Sequence, residues 1–278
     1  MRLSRVQTWA ILTLTALFFG FTLLHASWLA DGPVGAPKLL ANGGAALPSD
    51  TKGCIVDAQA GYGAVDTPAD IRMLQAAVGN GAGAINLPVE ISGAAPMIPR
   101  LFKTTCAADA ARPRALLADA PPALTGAELF VRIDKSADVP SILAAIPAAA
   151  KPVFYGSDDA MAAVRKARPD GQAFGIAKAR QCTSGYKGSG WMGSVPDVCK
   201  NGVALLTLDD LGLTLWGWPN RYLARMRSAG TRVIIAQDVE GDKITGLTTP
   251  EQYGDIASSF NGTIWVDDIA ALGPALKR

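Results

Sequence analysis

Histidine is almost missing from this chain: among 278 residues only His25 carries an imidazole. That scarcity removes the side chain whose unperturbed pKa lies nearest neutrality. With no Cys-x-x-Cys pair beside it, it also argues against a zinc site. Charge is sparse too, at 18% of residues, and evenly balanced. Without Arg2 and Arg5 the 26 basic residues fall to 24, equal to the 24 acidic ones. No basic patch or stripe stands out, which sets nucleic-acid binding aside. No Gly-x-Gly-x-x-Gly follows the first candidate strand, and Gly61-Tyr62-Gly63 alone does not make a dinucleotide site. What is plentiful is apolar: 49% of residues, enough for a sizeable core and incompatible with a disordered or collagen-like chain.

The N-terminus holds the clearest local signal. After Arg2 and Arg5, the stretch Val6–Ala30 contains no Asp, Glu, Lys or Arg. About 20 predominantly apolar residues cross a bilayer as a helix, and positive charge on the short side keeps that side in the cytoplasm. Residues 1–30 therefore read as a membrane anchor, with the remainder exported. A cleaved signal peptide is the competing reading, although His25-Ala-Ser-Trp-Leu-Ala30 offers no clean small-x-small site. Cys54, Cys106, Cys182 and Cys199 all fall in the exported part, where an even number suggests disulfides. The Gly-rich segment between Cys182 and Cys199 carries little helix or strand signal and would gain from a staple. Cys182–Cys199 is the favoured pair, leaving Cys54–Cys106; four free thiols are the alternative.

Residues 31–50, rich in Gly and Pro, read as a flexible tether, with a folded domain over 51–278. Within it, β-rich runs alternate with helical patterns: Cys54–Ala58, Ala84–Val89, Glu128–Asp134, Val153–Tyr155, Ala173–Ala177, Val203–Leu208, Arg232–Gln237 and Thr263–Val266. Eight strands mostly separated by helices point to a parallel α/β fold and suit a closed (β/α)8 barrel. A ninth run, Pro96–Ile98, leaves the count open, and an open doubly wound sheet is the other topology. Thr67-Pro68 and Thr249-Pro250 open helices as N-cap and first residue. A third helix over Pro219–Ala229 ends at Gly230.

Two stretches resemble the glycerophosphodiester phosphodiesterases. Ile55–Thr67, the helix after it, Gly81–Ile91 and Pro96–Arg100 are similar to the family's opening. There a strand ending in His-Arg-Gly leads to Pro-Glu-Asn-Thr, a helix, Glu-x-Asp-Val and a strand closing in His-Asp. Arg221–Ala275 looks like its last two strands. Trp216-Gly-Trp-Pro219 and the Cys182…Val-Pro-x-x-Cys199 loop resemble an anchored branch of the family. The resemblance implies a TIM barrel of the PLC-like phosphodiesterase type. Carried over residue by residue, the family's first histidine falls on Asp57 and its Pro-Glu-Asn-Thr glutamate on Val65. Its metal pair falls on Asn86 and Pro88, its second His-Asp on Pro99-Arg100, and a later glutamate on Arg132. The histidines and aligned metal carboxylates are thus replaced.

Barrel sites lie at the C-terminal ends of the strands, and residues two apart share a strand face. That places Asp57 with Gln59, Asn86 with Glu90, Arg132 with Asp134 and Lys178 with Arg180 around one mouth. Arg132, Lys178 and Arg180, with Arg100 nearby, would hold a phosphate; ordinary salt bridges on barrel loops are the bland alternative. Asp57, Glu90 and Asp134 would offer oxygen ligands to Ca²⁺ or Mg²⁺ if the chain is active. Trp216 and Trp218 would stack on a glycerol, sugar or inositol face or serve as a packed lid. Two functions follow. One is a non-catalytic relative binding a phosphorylated or polyol head group, or a protein partner, near the membrane. The other is a diverged phosphodiesterase in which Asp57 and Glu90 replace histidine; an unrelated carbohydrate hydrolase with paired acids is more distant.

Overall fold

A computed structural model describes residues 4–45, 47, 68–93, 95–101, 114–212 and 214–276. Its centre is one eight-stranded sheet, with neighbouring strands all parallel: β1 (Lys38–Asn42), β2 (Ala84–Leu87), β5 (Glu128–Ile133), β6 (Val153–Gly156), β7 (Gln172–Gly175), β8 (Val203–Thr207), β9 (Arg232–Ala236) and β12 (Thr263–Val266). The order is β7-β6-β5-β2-β1-β12-β9-β8, a ring lacking only the β7–β8 ladder. The remaining strands form two antiparallel hairpins, β3 (Glu90–Ser92) with β4 (Ala95–Met97), and β10 (Asp238–Glu240) with β11 (Lys243–Thr245). The helices are α1 (Arg5–His25), α2 (Ala69–Gly79), α3 (Ala120–Ala123), α4 (Val139–Ala145), α5 (Asp158–Ala167), α6 (Ile176–Ser189), α7 (Asn220–Ser228), α8 (Pro250–Gly254) and α9 (Ile269–Leu276).

The first strand corrects the expected boundary. Lys38–Asn42 lies inside the stretch read as a tether, so the barrel begins before residue 51. Its Leu39-Leu40-Ala41 core has no β-branched residue, whereas Ile55-Val56 does, which is why the sequence pattern passed over Lys38–Asn42. Cys54–Ala58 lies outside the described residues. The other seven expected strands fall within two residues of the observed ones.

Strand alternation sorts the side chains into two cores. Ile85, Val131, Phe154, Leu206 and Ile235 face outward against the helices, joining Ile71, Leu74, Val164, Leu223 and Met226. Leu40, Ala84, Phe130, Tyr155, Phe174, Leu205, Ile234 and Trp265 face inward and fill the barrel. Within it Tyr155 stacks on Phe174 at 5.7 Å between ring centroids and meets Trp265 edge-on at 5.3 Å. Each such aromatic pair contributes about 0.5–1.5 kcal/mol beyond burial. Two residues below this layer, at the strands' N-terminal ends, a polar plug forms. Glu128 accepts from Arg232 at 2.8 Å and from Lys38 at 2.9 Å, and Arg232 also donates to Gln172 at 3.1 Å. Burial raises the Glu128 pKa, but the two cations outweigh it and hold the carboxyl below its ordinary value.

The β7–β8 gap is sealed by α6. Ile176 and Ala179 of this helix join the inner core. Thr183 Oγ1 and Arg180 Nη1 donate to the Leu205 carbonyl of β8, at 2.8 and 2.9 Å, on the edge where β7 would pair in a fully closed ring. Asp210, buried just past β8, then binds Arg180 Nη1 at 2.5 Å, Lys187 Nζ at 2.6 Å and the Thr207 N–H at 2.8 Å. The Gly-rich segment expected to lack regular structure is therefore helical through Ser189, because Ala179, Cys182, Thr183 and Tyr186 recur on one buried face. Cys182 and Cys199 are disulfide-bonded, with Cα atoms 4.9 Å apart. The Cys54–Cys106 pairing falls on residues outside the description.

Of the expected helix starts, Thr249 shows the capping box, with Gln252 Oε1 accepting the Thr249 N–H at 3.1 Å. That helix stops at Gly254. α7 ends as expected before Gly230, whose φ of 68° suits glycine. At the end of β6, Gly156 passes so near the Ile133 carbonyl that any Cβ there would collide with it.

Candidate functional site at the barrel mouth

The same alternation that fills the barrel also builds its mouth. Two residues beyond Leu40, Ala84, Phe130, Val153 and Trp265 stand Asn42, Asn86, Arg132, Tyr155 and Asp267. They surround a cavity of about 340 Å3 that Lys243 of the β10–β11 hairpin overhangs. The hairpin is fixed by Ile244, which is buried against the inner core, and by the Gln237 N–H donating to the Thr245 carbonyl at 2.9 Å.

A hydrogen-bond chain crosses this mouth from β6 to the residue just past β12. The Tyr155 hydroxyl donates to Asn86 Oδ1 at 2.9 Å. Asn86 Nδ2 donates to Asn42 Oδ1 at 2.7 Å, and Asn42 Nδ2 to Asp267 Oδ1 at 2.8 Å. Each amide is used as donor and acceptor, so its orientation is set by its neighbours. Burial pushes the Tyr155 pKa far above its ordinary value, only partly offset by Arg132 and by Asn86, so the phenol stays protonated at neutral pH. Across the cavity Arg132 Nε reaches both Asp134 oxygens at 2.9 Å. The Trp265 indole N–H, deep in the floor, is buried with no hydrogen-bond partner among the described residues. An orphaned buried donor is uncommon and marks a place where a ligand or water acceptor fits.

The expected site residues divide. Asn86 and Arg132 line the cavity, with Asp134 held by Arg132 at its edge. Asp57 lies outside the described residues. Glu90 sits exposed on β3 and is paired with Arg114 at 2.5 Å. Arg100 stands near Asp70 of α2, a buried carboxyl raised chiefly by desolvation and drawn back down by the Leu101 N–H and by the charge of Arg100. Lys178 and Arg180 are not on the rim, because β7 ends at Gly175 and the chain turns straight into α6. Lys178 is exposed on that helix and Arg180 is held by Asp210 and Leu205. Trp216 packs against Phe21 and His25, and Trp218 against Tyr222 and Phe260; neither lines the mouth.

Asn42, Tyr155, Lys243 and Trp265 escaped the sequence reading. With β1 in place, the described sheet opens on a strand that ends at Asn42, followed by Gly43-Gly44, and Asn42 stands at the mouth. Among the described residues no group of three or more His, Cys, Asp or Glu side chains converges to hold a metal ion. The oxygens of Asn42 and Asn86 at the mouth are already engaged by N–H and O–H donors. That donor set does not fit Ca²⁺ or Mg²⁺, which favour several free carboxylate or carbonyl oxygens.

Two solved structures share this fold. One is the glycerophosphoryl diester phosphodiesterase domain of an uncharacterized Mycobacterium tuberculosis protein, 17% identical, with a TM-score of 0.57 over 87% of this chain and all of that one. The other is a glycerophosphodiester phosphodiesterase from Agrobacterium tumefaciens, 12% identical, with a TM-score of 0.50 over the same shares. No family model and no curated protein sequence matches the chain. The fold is thus that of a glycerophosphodiester phosphodiesterase TIM barrel, preceded by a helix long and apolar enough to span a bilayer.

Proposed function

We propose that this chain is a membrane-anchored, extracytoplasmic phosphodiesterase-like barrel whose mouth binds a phosphorylated or polyol head group without cleaving it. The hydrogen-bond chain Tyr155–Asn86–Asn42–Asp267 carries this reading. Hydrolysis of a phosphodiester needs a proton donor and acceptor with pKa near the operating pH, and stabilisation of developing phosphoryl charge. At this mouth a high-pKa phenol and two carboxamides stand where titrating groups would act. The one histidine, His25, contacts the Trp191 carbonyl at 2.7 Å at the far end of α1. What remains suits recognition: Arg132 and Lys243 for a phosphate, the Trp265 N–H for a buried acceptor, and Asp267 for a hydroxyl. The apolar α1 and the Cys182–Cys199 bond support an exported, oxidising location.

The test is calorimetric titration of glycerol 3-phosphate and glycerophosphocholine into the full chain in detergent, paired with an assay of glycerol phosphate release with EDTA, Ca²⁺ or Mg²⁺. Binding that persists in EDTA, is lost in Arg132→Ala/Lys243→Ala, and is unaccompanied by turnover is the expected result. Metal-dependent release that disappears in Asp57→Asn and Glu90→Gln would establish the active alternative instead.

A further inference from the structure

A shallow, open hollow of about 850 Å3 lies away from the mouth, where the last turns of α1 meet α7 and the loop after α6. Leu23 and Leu24 form one side; Lys200, Arg221 and Arg225 form the other. The end of α1 is bolted to this wall. Arg221 Nη2 donates to the Leu23 carbonyl at 2.8 Å and Arg225 Nη2 to the Leu24 carbonyl at 2.7 Å, capping carbonyls that the helix leaves unpaired. Just beyond, the Asn220 N–H donates to Ser27 Oγ at 2.9 Å.

Length sets the depth of this seam. The 21 residues of α1 rise about 32 Å at 1.5 Å each, close to the ~30 Å hydrocarbon core of a bilayer. If α1 spans, its His25 end and the hollow beside it stand at the level of the lipid head groups. The surface there has the composition of a membrane interface. Trp28 is 76% exposed, Trp191 49% and Met192 56%, and the Trp191–Gly193 turn lies directly against Leu24 and His25. Arg221 Nε is also buried without a hydrogen-bond partner among the described residues. A free anion would satisfy the arginines but not the apolar flank of Gly20, Leu23 and Leu24; an amphiphile satisfies both.

We infer that this seam is a binding site for an anionic phospholipid. Its phosphate sits among Arg221, Arg225 and Lys200, its acyl chains run down the Gly20–Leu24 side of α1, and Trp28 and Trp191 lie in the interface. The inference rests on the reading of α1 as a membrane span, and the experiment separates the two. The full chain is reconstituted in nanodiscs of phosphatidylcholine alone or mixed with phosphatidylglycerol, released into detergent, and its retained lipid is counted by native mass spectrometry. Selective retention of phosphatidylglycerol is expected, weakened about five-fold for each charge removed in Lys200→Gln and Arg221→Gln. Lys200→Gln leaves the α1 caps untouched, so it decides the matter should Arg221→Gln misfold. In brominated phosphatidylglycerol, Trp191→Phe should remove a quenchable part of the fluorescence. A protein that stays embedded through alkaline carbonate yet retains both lipids equally, or retains phosphatidylglycerol equally in both variants, overturns this site alone. Displacement of the lipid by free glycerol phosphate at equal concentration would assign the arginines to a soluble anion and overturn it too. Release by carbonate would overturn the span and the site together.

Discussion

Substituting Asp210→Asn probes the closure of the barrel most directly. The carboxylate is buried and accepts from Arg180, Lys187 and the Thr207 N–H. An amide keeps one acceptor but removes the charge and turns an N–H group toward a cation. Breaking a buried ion pair by removing one partner costs about 3–5 kcal/mol. The Arg180 and Lys187 side chains, however, are 33% and 28% exposed, so water screens part of the loss. A cost of about 2–3 kcal/mol follows. At about 2–4 °C per kcal/mol for a domain of this size, the melting temperature should fall by about 4–12 °C. Urea unfolding of the full chain in detergent, followed by tryptophan fluorescence, should show a lower midpoint at unchanged slope. Hydrogen exchange should accelerate in α6 and β8 before other strands. The pH dependence adds a second readout. Burial works to raise the Asp210 pKa, but the bonds from Lys187, Thr207 and Arg180 outweigh it and hold the carboxyl below its ordinary value. Its stabilisation is therefore complete above the unfolded-state carboxylate pKa and is lost as pH falls through the lower folded value. The gap between wild type and Asp210→Asn should close in strong acid. A shift no larger than that of the exposed control Asp242→Asn would refute the claim that α6 closes the ring through this carboxylate.

Asn86→Ala should destabilise the fold by about 2 kcal/mol, because it orphans the buried Tyr155 hydroxyl; Tyr155→Phe should cost less, and both are read from urea midpoints. Removing the bond between Cys182 and Cys199, by reduction or by paired substitution to Ala, should cost about 3 kcal/mol on loop-entropy grounds. A reduced protein with an unchanged midpoint would contradict that. Glu128→Gln at the opposite end of the barrel leaves Lys38 and Arg232 without their shared carboxylate. It should lower the melting temperature near neutral pH, with the difference from wild type vanishing in acid.

Much of the architecture is written locally. Runs such as Val203-Ala-Leu-Leu-Thr207 and Arg232-Val-Ile-Ile-Ala236 are β-prone and buried on both faces, so strand identity needs no distant partner. The Thr249–Gln252 box and the glycine after α7 mark helix ends in the same local way. The apolar purity of Val6–Ala30 likewise requires only composition.

What tertiary structure decided was which residues stand together. Lys38–Asn42 is a weak strand by propensity and becomes β1 because β2 and β12 offer parallel edges on both its sides. That one placement moves the end of the opening strand to Asn42 and brings Asn86, Tyr155 and Asp267, distant in sequence, into one hydrogen-bonded chain. Arg180 looks like a rim cation only while β7 is imagined to run on; the turn at Gly175 carries it to the β8 edge instead. Periodicity reports whether a side chain faces a core, since that follows from the geometry of a single element. The company it keeps depends on how strands close into a ring, and no local pattern encodes that.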